Sequence, residues 1–306
     1  MLKPGWSKKI CGPMKPLSWA VIGVIIAIIS ANSAKADDAA LFEVERAGSA
    51  SQQSIIFIPG LATPAEVWSE TVVALGNTAD IHLISVAGFG GIPAAGEGAF
   101  ISPLVNALAE YIDGHELDQV TLVGHSLGAQ IALQLAAARP GKVDDILVID
   151  SAPFFAALFN PAVTPQQAAQ YGQGMAAQMA AMPREQFMEM TQQGLAIQSI
   201  SENGQMKVLG WMESSDQQVV ARAMGEVAGG DFRPVLSEVK AEVSILIAWA
   251  APSPVSEAQL LAIYQGQYDD LENSRVQVVR DSRHFIMLDQ TDVFMEHLQS
   301  VMMSED

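Results

Sequence analysis

The sequence predicts an α/β domain: a mainly parallel, doubly wound sheet of about eight strands with a helical cap inserted past the midpoint. Three observations carry this. Short apolar, β-branched runs alternate with helical patterns, which right-handed crossovers convert into a parallel sheet covered on both faces. The run from Gln119 to Val123 breaks at Gly124-His125-Ser126-Leu127-Gly128 and passes directly into Ala129–Ala138, rich in Ala, Leu and Gln, so a strand turns abruptly into a helix with a serine at the turn. From Pro153 to about Gly230 the strand pattern disappears. Gln, Ala and Met dominate there, and eight of the fourteen methionines fall inside it.

In chain order, Leu41–Arg46 alternates apolar and charged residues, as a short edge strand does. Ser54–Ile58 is a buried-type strand that stops at Pro59-Gly60. Thr63, with Pro64 and Glu66 behind it, reads as an N-cap with proline at the first helical position. Ile81–Val86 is the next strand, and it ends in the cluster Ala87-Gly88-Phe89-Gly90-Gly91. That cluster lacks Gly-x-Gly-x-x-Gly spacing and a following Lys-Ser/Thr pair, so it reads as a turn rather than a nucleotide loop. Ser102–Ile112 reads as a helix and Asp144–Asp150 as a strand. Residues 153–230 form the cap, whose methionines either line an adaptable pocket or, as is commoner, serve as core. Val243–Trp249 and Arg275–Val279 resume the strand pattern, with helices over Ser256–Tyr268 and Thr291–Met302.

The turn at Ser126 explains its flanking glycines. A hydroxyl held proud of a sheet needs a strained turn, and side chains at 124 and 128 would collide with the neighbouring strand and helix. The helix that begins behind the serine leaves backbone N–H groups free, including that of Leu127. In this strand-to-helix setting Gly124-His125-Ser126-Leu127-Gly128 resembles the Gly-x-Ser-x-Gly nucleophile elbow of the α/β-hydrolase family. The resemblance implies that Ser126 is the nucleophile and that an oxyanion would be held by the N–H groups of Leu127 and Leu61. Leu61 follows Pro59-Gly60, where the family more often has a histidine-glycine pair.

A serine needs a base to take its proton. His82 lies inside a strand, His115 in a polar turn, His297 on the last helix, and His125 inside the elbow, pointing away from the reactive side. His284, in Asp281-Ser282-Arg283-His284-Phe285 just past the final strand, occupies the family's place for the base. The acid departs from the common pattern. The loop after Trp249 reads Ala250-Ala251-Pro252-Ser253-Pro254 and has no carboxylate. A minority of the family carries the acid at the end of the strand after the elbow helix, and Asp150 stands there. An aspartate closing an apolar strand is costly to bury unpaired, and a histidine N–H is a suitable partner. An N-cap role for Asp150, and Asp269 or Asp270 as the acid, are the alternatives.

Residues 1–36 read as an export signal: Lys3, Lys8, Lys9 and Lys15 lead into an apolar run of about 13 residues from Leu17, and Ala34-Lys35-Ala36 offers a cleavage site. A bilayer span needs roughly 20 residues, so cleavage and a periplasmic or secreted protein are expected, with an uncleaved anchor as the alternative. Cleavage would remove five lysines and no acids, taking the formal charge from −18 to −23 and leaving no cysteine. That balance repels nucleic acid and anionic membranes, and 270 residues suffice for one sizeable core without disulfides. The resemblance implies a hydrolase that cleaves an ester-like small molecule, with an apolar part, through an acyl-enzyme. Amide or peptide, thioester and C–C bond hydrolysis on the same residues are the enzymatic alternatives, and a non-catalytic binding protein on the same fold is the alternative of another class. No cofactor or metal is expected, because the histidines are dispersed and no cluster has ligand spacing.

Overall fold

The computed structural model describes residues 27–28 and 40–303. The predicted export signal, apart from Ala27–Ile28, lies outside the described residues. Along the chain run β1 (Ala27–Ile28), β2 (Phe42–Gly48), β3 (Ser54–Ile58), α1 (Ser69–Leu75), β4 (Asp80–Val86), α2 (Ile101–Gly114), β5 (Val120–His125), α3 (Leu127–Ala138) and β6 (Val143–Ile149). The inserted helices follow: α4 (Pro165–Ala181), α5 (Arg184–Gln193), α6 (Leu195–Gln198), α7 (Glu202–Ser214) and α8 (Gln217–Gly229). The chain then returns to the sheet through β7 (Glu242–Trp249), α9 (Glu257–Gln267), β8 (Ser274–Arg280), α10 (Ile286–Asp289) and α11 (Thr291–Met302).

The strands form one sheet in the order β1-β2-β4-β3-β5-β6-β7-β8. From β4 to β8 every neighbouring pair is parallel, and β2 runs against its two neighbours. Sequence character explains the placement. β3 and β5 are buried at every position, as central parallel strands covered by helices on both faces must be. β2 and β8 carry charged residues and are half exposed. Alternate residues feed two cores. Ile56, Ile58, Leu122, Ile146, Val148 and Ile245 pack with α2 and α3 on one face. Ile55, Phe57, Val123, Leu147, Ile149 and Leu246 pack with Trp68, Phe294 and Leu298 on the other. Each of these isoleucines and leucines contributes roughly 1.5–3 kcal/mol by burial.

One predicted boundary is corrected. Thr63 is not a helix N-cap: its Oγ1 donates to the Leu61 carbonyl at 3.0 Å, and Pro64 precedes a 3₁₀ turn over Ala65–Trp68 that leads into α1. The hydroxyl is used within the Leu61–Thr63 turn and so fixes the loop rather than the helix.

The insertion is helical, as its composition predicts. Thr164 and Gln167 form a capping box on α4, and Asp216 caps α8 by accepting from Gln218 and Val219. Small residues let α4 and α8 approach closely: a Cβ on Gly225 would come within 2.6 Å of Ala176. The glycine cluster after β4 docks the junction of α7 and α8. Asp216 N–H donates to the Gly88 carbonyl at 2.8 Å, and Gly90 N–H donates to Ser215 Oγ at 2.8 Å. A Cβ on Gly88, whose φ is +85°, would strike Val219. Glu226 of α8 accepts from Phe100 and Ile101 N–H at the start of α2. Among the described residues no helix is long and apolar enough to cross a membrane.

Candidate active site

The elbow places Ser126 at the carboxyl end of β5, with φ 54° and ψ −118°. A side-chain-bearing residue adopts such a backbone only where its surroundings force it, at a cost of about 1–3 kcal/mol. The glycines show how. A Cβ on Gly124 would lie 2.6 Å from Ala129 N, and one on Gly128 would run into the Ile58 carbonyl oxygen. Gly60, in the loop across from the elbow, is equally confined, since a Cβ there would reach 2.7 Å from His125 Nδ1 and 3.3 Å from Ser126 Cβ.

Ser126, His284, Asp150, Leu61 and Leu127 border one cavity of about 530 Å³ under the cap. Asp150 follows β6, held at φ 45° with its N–H donating to the Leu246 carbonyl at 2.8 Å. Its Oδ2 lies 2.7 Å from His284 Nδ1, and its Oδ1 accepts from the Ala248 N–H at 2.9 Å. The carboxylate plane is thereby fixed from both sides. Because Nδ1 faces a carboxylate, it carries the proton, and Nε2 is left with its lone pair for a reacting group. Ser126 Oγ and His284 share no hydrogen bond among the described residues, and both border the cavity. The Leu61 and Leu127 N–H groups also take no hydrogen-bond acceptor among the described residues. They are free to serve an oxyanion.

The cavity is largely apolar. Phe155, Leu158, Val208 and Val227 line it together with Met190, Met212 and Met224. Three of the eight cap methionines thus border the cavity, and two of these, Met212 and Met224, pack against the core as Met179, Met182 and Met188 do. Tyr264 and Tyr268, behind Asp150, remain neutral phenols, since burial first and the carboxylate second raise their pKa. Tyr268 OH donates to the Ser151 carbonyl at 2.8 Å. A second, more open hollow of about 660 Å³ lies along α4 and α8, walled mostly by alanine and glycine, and contains none of the candidate residues.

The alternative acids are elsewhere: Asp269 and Asp270 are exposed at the end of α9. Of the other histidines, His82 sits inside β4 and His297 in α11. His125 contributes in a way its position alone did not reveal. Its Nε2 donates to the His284 carbonyl at 3.0 Å, and the two rings stand 4.6 Å apart. Burial, then the neighbouring imidazole, holds its pKa well below 6.5, so it stays neutral. Among the described residues no group of three or more His, Cys, Asp or Glu side chains could hold a metal ion.

Comparison with known proteins bears on the family and the fold. A pimeloyl-[acyl-carrier protein] methyl ester esterase from Aeromonas hydrophila is 32% identical over 134 residues, 44% of this chain and 51% of the relative. One from Klebsiella pneumoniae is 28% identical over 120 residues, 39% of this chain and 45% of the relative. The chain thus spans about half the length of these relatives. An esterase from Exiguobacterium antarcticum superimposes with TM-score 0.71 at 18% identity, covering 86% of this chain and 96% of that one. An enol-lactonase from Burkholderia xenovorans LB400 does so with TM-score 0.68 at 15% identity, also covering 86% and 96%. Residues 53–291 match the family described as alpha/beta hydrolase fold, and the chain belongs to that family.

Proposed function

We propose that this protein is an exported serine esterase. The observation that carries the reading is the 2.7 Å contact between Asp150 and His284 beside a cavity that Ser126, Leu61 and Leu127 also border. Ser126 Oγ attacks the ester carbonyl while His284 Nε2 takes its proton, and Asp150 orients and stabilises the imidazolium. The tetrahedral oxygen is met by the N–H groups of Leu61 and Leu127, worth about 3–4 kcal/mol per donor in comparable sites. Collapse breaks the ester C–O bond, and His284 passes its proton to the departing alcohol. Water, deprotonated by the same Nε2, then attacks the acyl-serine and releases the acid, with the proton returning to Ser126.

The relatives named as methyl ester esterases favour a carboxylic ester over an amide, thioester or C–C bond. The apolar lining favours a substrate with an apolar part. Export to the periplasm or medium rests on the basic and apolar segments before Asp37. The test is labelling by a fluorophosphonate probe together with turnover of a short p-nitrophenyl ester. Wild-type protein should react and Ser126→Ala should not; equal labelling of both, or an inert wild type, would end the proposal.

A further inference from the structure

His284 is fastened on three sides. Its ring meets Asp150, its carbonyl accepts from His125, and its own N–H donates to the Ile197 carbonyl at 3.3 Å. The first two partners belong to the sheet and its elbow, whereas the third belongs to the cap. Phe285 N–H extends the contact, donating to the Gln198 carbonyl at 2.9 Å. One side chain closes the junction. Asp289, at the end of α10, accepts on Oδ2 from Arg283 N–H at 2.8 Å. The same carboxylate accepts from Ser199 Oγ at 2.6 Å and from Ile200 N–H at 3.0 and 3.1 Å. It therefore grips the residue before His284 and the cap segment just after Ile197.

Asp289 has no part in the chemistry proposed above and does not border the cavity. A carboxylate serving donors from two segments fixes their separation, and charge-assisted bonds of this kind are roughly twice as strong as neutral ones. Elsewhere Ser215, Asp216 and Glu226 tie the cap to Gly88, Gly90 and the start of α2, and Ser215 Oγ also lies 3.2 Å from the Ala62 carbonyl, but none of these bonds reaches the loop that carries His284. We infer that Asp289 is a positioning residue that locks the loop carrying His284 to the cap, so that the imidazole holds its place at the cavity bordered by Ser126 only when the cap is seated. A cap that lifts at this side to admit substrate carries His284 with it, and reseating the cap returns the imidazole to the cavity. The kinetic consequence rests on the role proposed for His284; the mechanical link does not.

Asp289→Asn tests the link, because an amide offers one acceptor oxygen where several donors converge and turns an N–H₂ toward them. We expect kcat on a short p-nitrophenyl ester to fall about tenfold to a hundredfold, as small misplacements of a catalytic group do, with KM changed by less than about twofold. Amide hydrogen exchange should quicken at His284 and Phe285, whose own N–H groups bond to Ile197 and Gln198 rather than to Asp289, while α3 stays as protected as before. Ser199→Ala, which removes one donor, should shift both readouts the same way by less, and it serves if Asp289→Asn does not fold. Unchanged kcat in an active enzyme, or faster exchange confined to residues 199–200, would overturn the inference. An inert wild type would instead sink the esterase reading, and exchange at His284 would still decide whether Asp289 couples loop to cap.

Discussion

Two aspartate–histidine pairs sit at opposite ends of the same sheet, and they differ in what else each aspartate holds. At the carboxyl end Asp150 and His284 are 2.7 Å apart with side chains 15% and 28% exposed. At the amino end Asp80 and His82 are 3.3 Å apart and 7% and 0% exposed. Asp80 also accepts two hydrogen bonds from Arg46, at 2.7 and 2.6 Å, while His82 Nδ1 meets Tyr111 OH at 2.7 Å. Burial pushes that phenol up to about 12, so it stays neutral. The lower pair is electrically closed, its charge matched by a guanidinium and its imidazole sealed from solvent. The upper pair faces a cavity, and among the described residues no lysine or arginine bonds to Asp150. Proximity of Asp to His is common to both ends; what sets the carboxyl end apart is an aspartate with no bonded cation among the described residues and an imidazole beside a cavity.

Substitution should separate the two ends sharply. Asp150→Asn is expected to lower kcat about 10⁴-fold, as loss of an orienting carboxylate does in triads, with little change in unfolding by urea. Asp269→Asn and Asp270→Asn, made as controls on exposed acids, should leave turnover within about twofold. Asp80→Asn should do the reverse of Asp150→Asn: kcat is kept, but stability drops by about 3 kcal/mol because Arg46 and His82 lose a largely buried partner. Comparable kcat losses at positions 80 and 150 would erase the distinction between the ends.

Much of the carboxyl end was legible in the sequence. The strand-to-helix break at Ser126 needs its two glycines for steric reasons that local sequence states outright, and the short apolar run Ser54–Ile58, stopped by Pro59-Gly60, reads as a buried strand and is one. Asp150 was legible for a similar reason, since a charge closing an apolar strand demands a partner. What escaped were contacts made across long separations. Nothing near Asp289 says that Ser199, ninety residues earlier, lies against it. His125 reads as an elbow residue, and only the fold brings His284, 159 residues on, to accept its N–H. Thr63 misled because the sequence offers a cap pattern, while the turn it enters uses the hydroxyl within itself.

The finest test of the closed end is the dependence of stability on pH. Burial is the main cause that lowers the pKa of His82 from its ordinary 6.5, with Asp80 opposing the shift and Arg46 and His115 adding to it. Below about pH 6.5 the unfolded chain takes up a proton that the folded protein refuses, so stability must fall as pH drops from there toward the folded pKa and level off beneath it. Above pH 6.5 this group contributes no slope. Each such histidine adds at most about 1.4 kcal/mol per pH unit, and His125, buried and lowered further, adds to the same trend. Urea unfolding at pH 7.5 and 5.5 should therefore show wild-type protein losing stability at the lower pH. His82→Gln should lose less over that interval. An equal loss in both proteins would mean that His82 titrates in the fold as it does in the open chain, and the amino end would then be no more sealed than the site above it.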